Sequence, residues 1–390
     1  MKLFTNTSYI KNLFLLALLL LGSAAFAQEE EEEEEKNKIS FSGSVDAYYR
    51  TNFNGLNSVV PIVEGGEEIG EISPSAPGSS FANNSGFALG MVNLIAGYEG
   101  KKVGFVADLV FGPRGEDAVF NDSGPTSIIN QLYVYWNVSD KVTLTLGNWN
   151  TFLGYEVISP VANFNYSTSY MFSYGPFSHN GLKADFDLGN DWSAMVAIMN
   201  QTDFTSASRQ SDFSFGAQLG YAGQFLNFLY GKQGADKIVN DGAIEEPDIQ
   251  GLFQVDYTGG FNIGEDFFLG INATYQETGD VGFDEDTPSD LGFWGAALYP
   301  QYTFSETFTL GLRGEYFQEV GDFGAIGTGV EDSNVLAVTL SGNVTIGKFL
   351  TIIPEIRFDN ASDDSFLFLN KDLETSKNLS SFLLAAVFAF

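Results

Sequence analysis

The sequence predicts an all-β protein: a transmembrane, antiparallel up-and-down β-barrel of about sixteen strands, with short periplasmic turns and long extracellular loops. Three observations predict this fold. Aromatic residues make up 15% of the chain and glycines number 43, whereas charged residues reach only 17%, against about 25% in ordinary globular chains. Apolar and polar residues alternate with a period of two through most of the sequence. The breaks between the alternating segments are short and long in turn.

Residues 1–27 have the layout of a secretory signal peptide. Lys2 and Lys11 charge the amino-terminal part, an apolar stretch follows at 13–21, and a small-x-small cleavage site ends at Ala27. As a helix, the apolar stretch is roughly 14 Å long at about 1.5 Å per residue, half of the about 30 Å that a bilayer core requires. No other apolar run reaches about 18 residues, so the sequence excludes a helical membrane protein.

Residues 28–38 form an acidic segment that we expect to be a disordered periplasmic leader. Its seven consecutive glutamates, 29–35, repel one another and do not pack; docking to a basic partner is the alternative. The formal net charge of the whole chain is −32, which argues against nucleic acid as a partner. Cysteine is absent, so disulfide bonds are excluded.

From residue 39 to residue 390 the alternation defines the strands of one barrel. Leu132, Val134 and Trp136, for example, alternate with Tyr133 and Tyr135. Successive side chains of a strand point to opposite faces, so one face meets lipid and the other meets the lumen. The predicted strands span 39–53, 86–99, 103–113, 127–138, 141–150, 176–188, 191–202, 212–221, 224–232, 249–260, 266–276, 291–304, 307–318, 333–346, 348–358 and 379–390.

The long breaks between these strands predict extracellular loops, with both chain termini on the periplasmic side. A sheet in lipid must close, since each unpaired backbone group at an edge costs several kcal/mol. A closed barrel of this width leaves an aqueous channel unless something fills it. In chain order, the first to eighth loops are 54–85, 114–126, 151–175, 203–211, 233–248, 277–290, 319–332 and 359–378.

The last predicted strand ends in an aromatic residue. Phe388 and Phe390 share its lipid-facing phase with Phe382 and Leu384. A terminal aromatic that closes an alternating last strand resembles the signal by which the barrel assembly machinery recognises outer-membrane proteins. We therefore expect Phe390 and Phe388 to act as an assembly signal.

Several segments also resemble those of a known family. They are residues 42–49, 93–100, 130–136, 147–152 and the stretch 154–177. The family is that of the OmpL-like β-barrel porins of Bacteroidota outer membranes, and the resemblance covers nearly the whole chain after the leader, most densely between residues 42 and 200. It implies a barrel located in the outer membrane of a Gram-negative bacterium, after secretion across the inner membrane.

The leading functional hypothesis is a porin that allows passive diffusion of small hydrophilic solutes, without a cofactor and without enzymatic turnover. A pore needs wetted walls, and many ionisable residues fall on the inward phase of the strands. The eight loops carry formal charges of −4, −2, −1, 0, −4, −6, −4 and −3, or −24 in all, so the acidic extracellular rim predicts a modest cation preference. The inward-facing ionisable residues are Asp46, Arg50, Asp108, Lys183, Asp185, Asp256, Arg313, Glu315, Glu355 and Arg357.

The third loop breaks the acidic pattern, because it carries one charged residue, Glu156, among many aromatic and small residues. We hypothesise that this loop folds into the lumen and forms a constriction. Glu156 would then face Arg50, Arg313 or Arg357 and form a transverse pair that orients solutes. The alternative is a loop that packs on the rim or on a neighbouring protomer.

Two other classes of function stay open. One is a substrate-specific channel for sugars or lipid-type molecules, with Tyr48, Tyr133 and Tyr135 lining the lumen. The other is a non-transport barrel that acts as an adhesin or a structural protein. Expected partners are outer-membrane lipid, lipopolysaccharide and small solutes, and general porins of this size often form homotrimers. The aromatic residues expected in interfacial girdles are Trp136, Trp149, Trp192, Tyr98, Tyr257 and Tyr275.

The sequence offers little for catalysis or metal binding. The single histidine, His179, adjoins Ser178, but neighbours on a strand point to opposite faces and cannot pair as nucleophile and base. One histidine without any cysteine excludes zinc-type sites. The sixth loop supplies carboxylates of the kind that bind Ca²⁺, although a hydrated, solubilising loop is the alternative. The calcium candidates are Asp280, Asp284, Asp286 and Asp290.

Overall fold

A computed structural model describes residues 39–121, 124–205, 211–232, 238–240, 243–245, 251–279 and 291–390. The predicted signal peptide, the acidic leader and the calcium candidates of the sixth loop lie outside these residues. No helix in the described part of the chain is long and apolar enough to cross a membrane.

Sixteen strands form one closed antiparallel barrel in which each strand pairs with its neighbours in chain order and the first strand pairs with the last. This confirms the predicted fold class. The barrel strands are β1 (Ile39–Asn52), β4 (Gly86–Glu99), β5 (Val103–Phe111), β6 (Ile129–Ser139), β7 (Val142–Asn150), β8 (Ser178–Gly189), β9 (Trp192–Met199), β10 (Ser214–Tyr221), β11 (Gln224–Lys232), β14 (Gly251–Ile263), β15 (Phe267–Thr278), β16 (Leu291–Ser305), β17 (Phe308–Val320), β18 (Asn334–Ile346), β19 (Leu350–Ser365) and β20 (Ser376–Ala389).

The loops contain short elements of their own. The first loop holds a hairpin of β2 (Val60–Glu64) and β3 (Glu67–Ile72), and the fifth loop holds a hairpin of β12 (Ile238–Asn240) and β13 (Ala243–Glu245). Helix α1 (Pro113–Ala118) and a 3₁₀ turn (Gly124–Ile128) lie in the second loop region, and helix α2 (Tyr170–Tyr174) ends the third loop.

The barrel closes between β1 and β20, whose pairing runs from Ser44 opposite Ala389 to Asn52 opposite Ser381. Beyond the ladder, the backbone groups of Gly43 and Phe390 exchange hydrogen bonds of 3.1 and 3.0 Å. The last residue therefore completes the backbone pairing that a sheet in lipid requires. The rings of Phe388 and Phe390 are exposed on the outer face, in agreement with their predicted lipid-facing phase.

The two faces of the wall differ as the alternation predicts. On β6, for example, Leu132 and Val134 are more than half exposed on the outside, whereas Tyr133 and Tyr135 face the lumen. Most of the inward-facing ionisable residues are almost completely buried inside the barrel. This buried set is Asp46, Arg50, Asp108, Asp256, Arg313, Glu315, Glu355 and Arg357.

The loop end of the barrel is filled by side chains of the wall and of the loops. Phe293 on β16 and Phe317 on β17 point inward and pack with Tyr170, Ile326 and Phe368 of the third, seventh and eighth loops. The physical reason is that the inward wall positions near the loops are apolar on these strands and are covered by loop side chains. Removing that surface from water stabilises the folded loops.

Candidate pore and loop anchors

The third loop lies inside the barrel, where carboxylates of the wall hold its backbone. Glu315 accepts hydrogen bonds from the amides of Tyr170 (2.9 Å) and Met171 (2.8 Å). Glu355 accepts one from the amide of Tyr166 at 3.0 Å. The wall therefore supplies the acceptors that a loop removed from water needs for its backbone N–H groups.

Helix α2 explains why Glu315 binds where it does. The first amides of a helix have no partners within the helix, and its amino terminus carries partial positive charge. Ser169 caps this terminus by accepting from the amide of Phe172 at 3.1 Å. The carboxylate of Glu315 accepts from the two preceding helical amides. Glu315 and Ser169 together accept hydrogen bonds from the amino-terminal amides of this short helix.

Asp46 and Asp256 extend the same pattern to other parts of the third loop. Asp256 on β14 accepts from the amide of Gly154 at 3.0 Å. Asp46 on β1 accepts from the hydroxyl of Tyr166. Four wall carboxylates that the sequence predicts as inward-facing thus contact the third loop. Buried as they are, they bind loop atoms and present little surface to water.

Glu156 pairs with Arg313, one of the three arginines proposed for it. The distance between Nη1 of Arg313 and Oε1 of Glu156 is 2.6 Å, and the two side chains are 0% and 4% exposed. Glu156 also accepts from the amide of Ser169 at 2.7 Å. Because the pair has almost no exposed surface, it anchors the loop and presents little surface to a passing solute.

Arg50 and Arg357 have other partners. Arg50 donates to the side-chain oxygen of Asn52 (2.9 Å) and to the carbonyl of Ser75 (3.1 Å) in the first loop. Arg357 forms an ion pair of 2.9 Å with Asp359 and donates to the carbonyl of Thr168 at 2.9 Å. Both arginines therefore tie loops to the wall. This burial is the physical reason why they are not exposed pore-lining charges.

Two polar cavities lie along the wall of β1 and β4–β8. The larger, about 500 Å³, extends along β6 and β7 from the short-turn end, at Asn137, to the loop end of β7, at Asn150, and is also lined by Lys183 and Asp185; we call it the vestibule. Lys183 and Asp185 form a partly exposed ion pair at 3.0 Å. The smaller cavity, about 170 Å³, lies near the loops and is lined by Tyr48, Arg114 and Asp117 among others. Lys183 and Asp185 are thus the predicted pore-lining pair that faces open space.

Arg114 was counted only as a loop charge in the sequence, and the structure gives it a central position. Its guanidinium group donates to the carbonyls of Ile158 (2.9 Å) and Tyr166 (3.1 Å) and lies 4.4 Å from the centre of the Phe81 ring. It therefore connects the first, second and third loops. The sequence indicated this role only through the location of Arg114 just after β5, at the mouth of the barrel.

The aromatic residues divide between the two faces. Tyr48, Tyr133 and Tyr135 line the polar cavities, whereas Trp136 and Trp192 are exposed on the outside. Trp149 corrects the girdle prediction, because it is 4% exposed and lines the vestibule. Thr143, Thr145 and Trp149 all face the lumen from β7. The girdle prediction was wrong here because it relied on the position of Trp149 at the end of the strand.

Ser178 and His179 do not form a nucleophile–base pair. The Nε2 atom of His179 lies 2.9 Å from the hydroxyl of Thr151, and its ring lies 5.0 Å from that of Phe152. Within the described residues, no group of three or more His, Cys, Asp or Glu side chains is arranged to hold a metal ion.

Asp203, in the fourth loop, is a partly buried acid that the sequence did not single out. It accepts hydrogen bonds from the amides of Phe177 (2.7 Å) and Ser178 (2.9 Å), where the third loop meets β8. Burial raises the pKa of Asp203 to about 7, and the two amides oppose this rise only in part. Its protonation therefore changes within the physiological pH range.

The sequence of this barrel matches a family model, "Putative beta-barrel porin-2, OmpL-like", over residues 38–390. The chain belongs to this family. Membership and fold together indicate an outer-membrane location and a porin-type channel protein, and the resemblance inferred from the sequence is confirmed. No curated protein gives a significant sequence match.

Solved porin structures share the fold at low sequence identity. The outer membrane channel DcaP of Acinetobacter baumannii is 12% identical, with a TM-score of 0.56 over 93% of this chain and 100% of that one. An anion-selective porin from Comamonas acidovorans is 13% identical, with a TM-score of 0.54 over 91% and 100%. The trimer form of OmpT from Vibrio cholerae is 12% identical, with a TM-score of 0.52 over 91% and 100%.

Proposed function

We propose that this protein is an outer-membrane porin through which small hydrophilic solutes diffuse passively. The observation that carries the proposal is the pair of polar cavities along the wall of β1 and β4–β8, the smaller near the loops and the larger extending to the short-turn end. The third loop is held between Asp46 on β1 and the wall carboxylates Asp256, Glu315 and Glu355, and its Tyr166 borders the smaller cavity. Solutes would follow the polar wall past the inner face of this loop.

We further propose a modest preference for cations. The eight loops sum to −24, and a rim of one sign concentrates counter-ions within a Debye length. Glu156 and Asp359 belong to the third and eighth loops but are buried in ion pairs with Arg313 and Arg357, so they do not contribute to the charge of the rim, which stays strongly acidic without them. The anion selectivity named for the Comamonas porin belongs to that protein, since a shared fold does not determine the charge of the loops.

The assembly and its partners are part of the same proposal. We expect secretion by the signal peptide 1–27, recognition of Phe390 and Phe388 by the barrel assembly machinery, and contact with outer-membrane lipid and lipopolysaccharide. A homotrimer is the expected assembly, and the trimer form of the Vibrio cholerae protein with the same fold supports it.

A second candidate is a non-transport barrel. Four apolar clusters lie among the buried residues, and the first of them joins the wall to the third, seventh and eighth loops. If these loops keep their packing at all times, the clusters close the lumen. An adhesin or scaffold would then be the better description.

Conductance in a planar lipid bilayer distinguishes these functions. We expect purified, heat-modifiable protein to give discrete conductance steps. In a KCl gradient the reversal potential should indicate cation preference near 0.1 M, where the Debye length is about 10 Å, and little preference near 1 M, where it is about 3 Å. Folded protein without conductance steps contradicts the porin, and anion preference contradicts the argument from the rim.

A further inference from the structure

The vestibule extends from the loop end of β7 to the short-turn end of the barrel, where solutes would leave on the periplasmic side. Glu99 and Asn137, which line it, adjoin the short turns after β4 and β6. Its volume of about 500 Å³ falls within the range of about 300–1,000 Å³ typical of small-molecule sites.

Two tyrosine rings in the vestibule are held by glycines on neighbouring strands. Gly104 lies opposite Tyr135 in the ladder, and a Cβ atom added there would lie 2.2 Å from the Tyr135 ring. Gly147 lies opposite Tyr133 with φ +136°, and an added Cβ would lie 2.9 Å from the Cβ of Tyr133. Glycine at position 104 therefore leaves room for the Tyr135 ring to lie across the adjacent strand, whereas glycine at position 147 allows the close approach of the two strand backbones beside Tyr133.

Polar groups without partners border the same cavity. Among the described residues, the indole Nε1 of Trp149 and the side-chain oxygen of Asn150 are buried and make no hydrogen bond, and both residues line the vestibule. Buried polar groups ordinarily have partners. Both atoms are inaccessible in this conformation, so the hydroxyl groups of a bound solute would pair with them only after these side chains turn towards the cavity.

The charges of the vestibule favour a neutral solute over an anionic one. Lys183 and Asp185 neutralise each other at 3.0 Å, and Nζ of Lys183 also lies 5.9 Å from the centre of the Trp149 ring. Glu99 adds a further carboxylate to the lining, which would repel an anionic solute. A neutral solute can hydrogen-bond to the outer atoms of the ion pair and to the amides and hydroxyls of Gln131 and Thr143, which also line the cavity.

We propose that the vestibule is a binding subsite for neutral, hydroxylated ring solutes of monosaccharide to disaccharide size. Tyr133 and Tyr135 pack against the C–H faces of the ring, and the polar rim binds its hydroxyl groups. The proposal that diffusing solutes bind at this subsite rests on the proposed porin function. The binding step, however, can be measured without conduction.

Tryptophan fluorescence of the purified full-length protein in detergent provides the test, with maltose as the probe. The other three tryptophans, Trp136, Trp192 and Trp294, are exposed on the outer face, so Trp149 reports on the vestibule. We expect a saturable change of emission with maltose and none with glycine. The change of emission should disappear in Trp149→Phe. In Tyr133→Ala, the maltose concentration at the midpoint of the change should rise at least tenfold.

Tyr230→Ala is the matched control, because Tyr230 is a tyrosine of β11 that is exposed on the outer face. The midpoint of its maltose titration should equal that of wild type. Heat-modifiable protein that conducts ions but shows no saturable response to maltose overturns the subsite and leaves the porin in place. A response to glycine alone also overturns the assignment to neutral solutes. Saturable maltose binding by protein that never conducts overturns the porin instead.

Discussion

Glu156 and Arg313 form a buried ion pair of 2.6 Å between the third loop and the barrel wall, across 157 positions of sequence. Burial removes both charges from water, and the cost of that desolvation is offset only while both partners are present. The loop and the wall are therefore mutually dependent at this point.

Glu156→Gln should destabilise the protein, since it leaves the guanidinium group of Arg313 buried without its counter-charge. Removing one partner of a buried pair costs about 3–5 kcal/mol. We expect a lower thermal midpoint of the heat-modifiable form, and partial recovery in the double variant Glu156→Gln/Arg313→Met. The control is Lys377→Met, which removes a pair that is nearly half exposed on both sides and should change the midpoint little. Equal effects of the two single variants would contradict the anchoring role.

Replacement of residues 156–172 by a short glycine–serine linker should raise the single-channel conductance. The third loop occupies lumen space against Glu315 and Glu355, and its removal frees that space for solutes. Single-channel recordings of wild type and the variant at the same salt concentration provide the measurement. An unchanged conductance, in protein that remains heat-modifiable, would show that the loop does not limit the flow.

Asp203 should make stability depend on pH. Its folded pKa of about 7 lies above the unfolded value of about 3.9, so the folded state binds more protons. The stabilising effect of protonation is complete below the unfolded pKa and is lost as pH rises through 7. Urea unfolding should show wild type losing about 2–3 kcal/mol between pH 5 and pH 8 relative to Asp203→Asn. Identical pH profiles for the two proteins would contradict the assignment.

Phe390→Ala should lower the amount of protein in the outer membrane. The substitution keeps the backbone hydrogen bonds to Gly43 and removes only the exposed ring, so it tests recognition separately from barrel closure. We expect unfolded protein in the periplasm, measured by cell fractionation. Phe304→Ala, which removes another exposed ring at the turn end of β16, is the control. Equal abundance of both variants and wild type would refute the assembly signal.

The sequence was sufficient to predict the strands because alternation is a local property. Each predicted strand has a counterpart in the barrel, although β19 continues to Ser365, beyond its predicted end at 358. The additional residues, 359–365, are mostly polar and were therefore assigned to a loop. In the structure they continue the pairing with β20, up to Ser365 opposite Ser376. Pairing with a neighbouring strand overrode the local composition there.

By itself, the sequence determined the strands of the closed barrel and the inward phase of residues such as Lys183 and Glu355, since these follow from side chains one and two positions apart. It also indicated the family, through the resemblance of several segments. Only the tertiary structure decided that Glu156 pairs with Arg313 and that Arg50 and Arg357 hold other loops. Those contacts join residues far apart in the chain that barrel closure brings together. No local pattern encodes which of several arginines on one inner wall will lie beside a given loop, so loop packing within the lumen could be decided only in three dimensions.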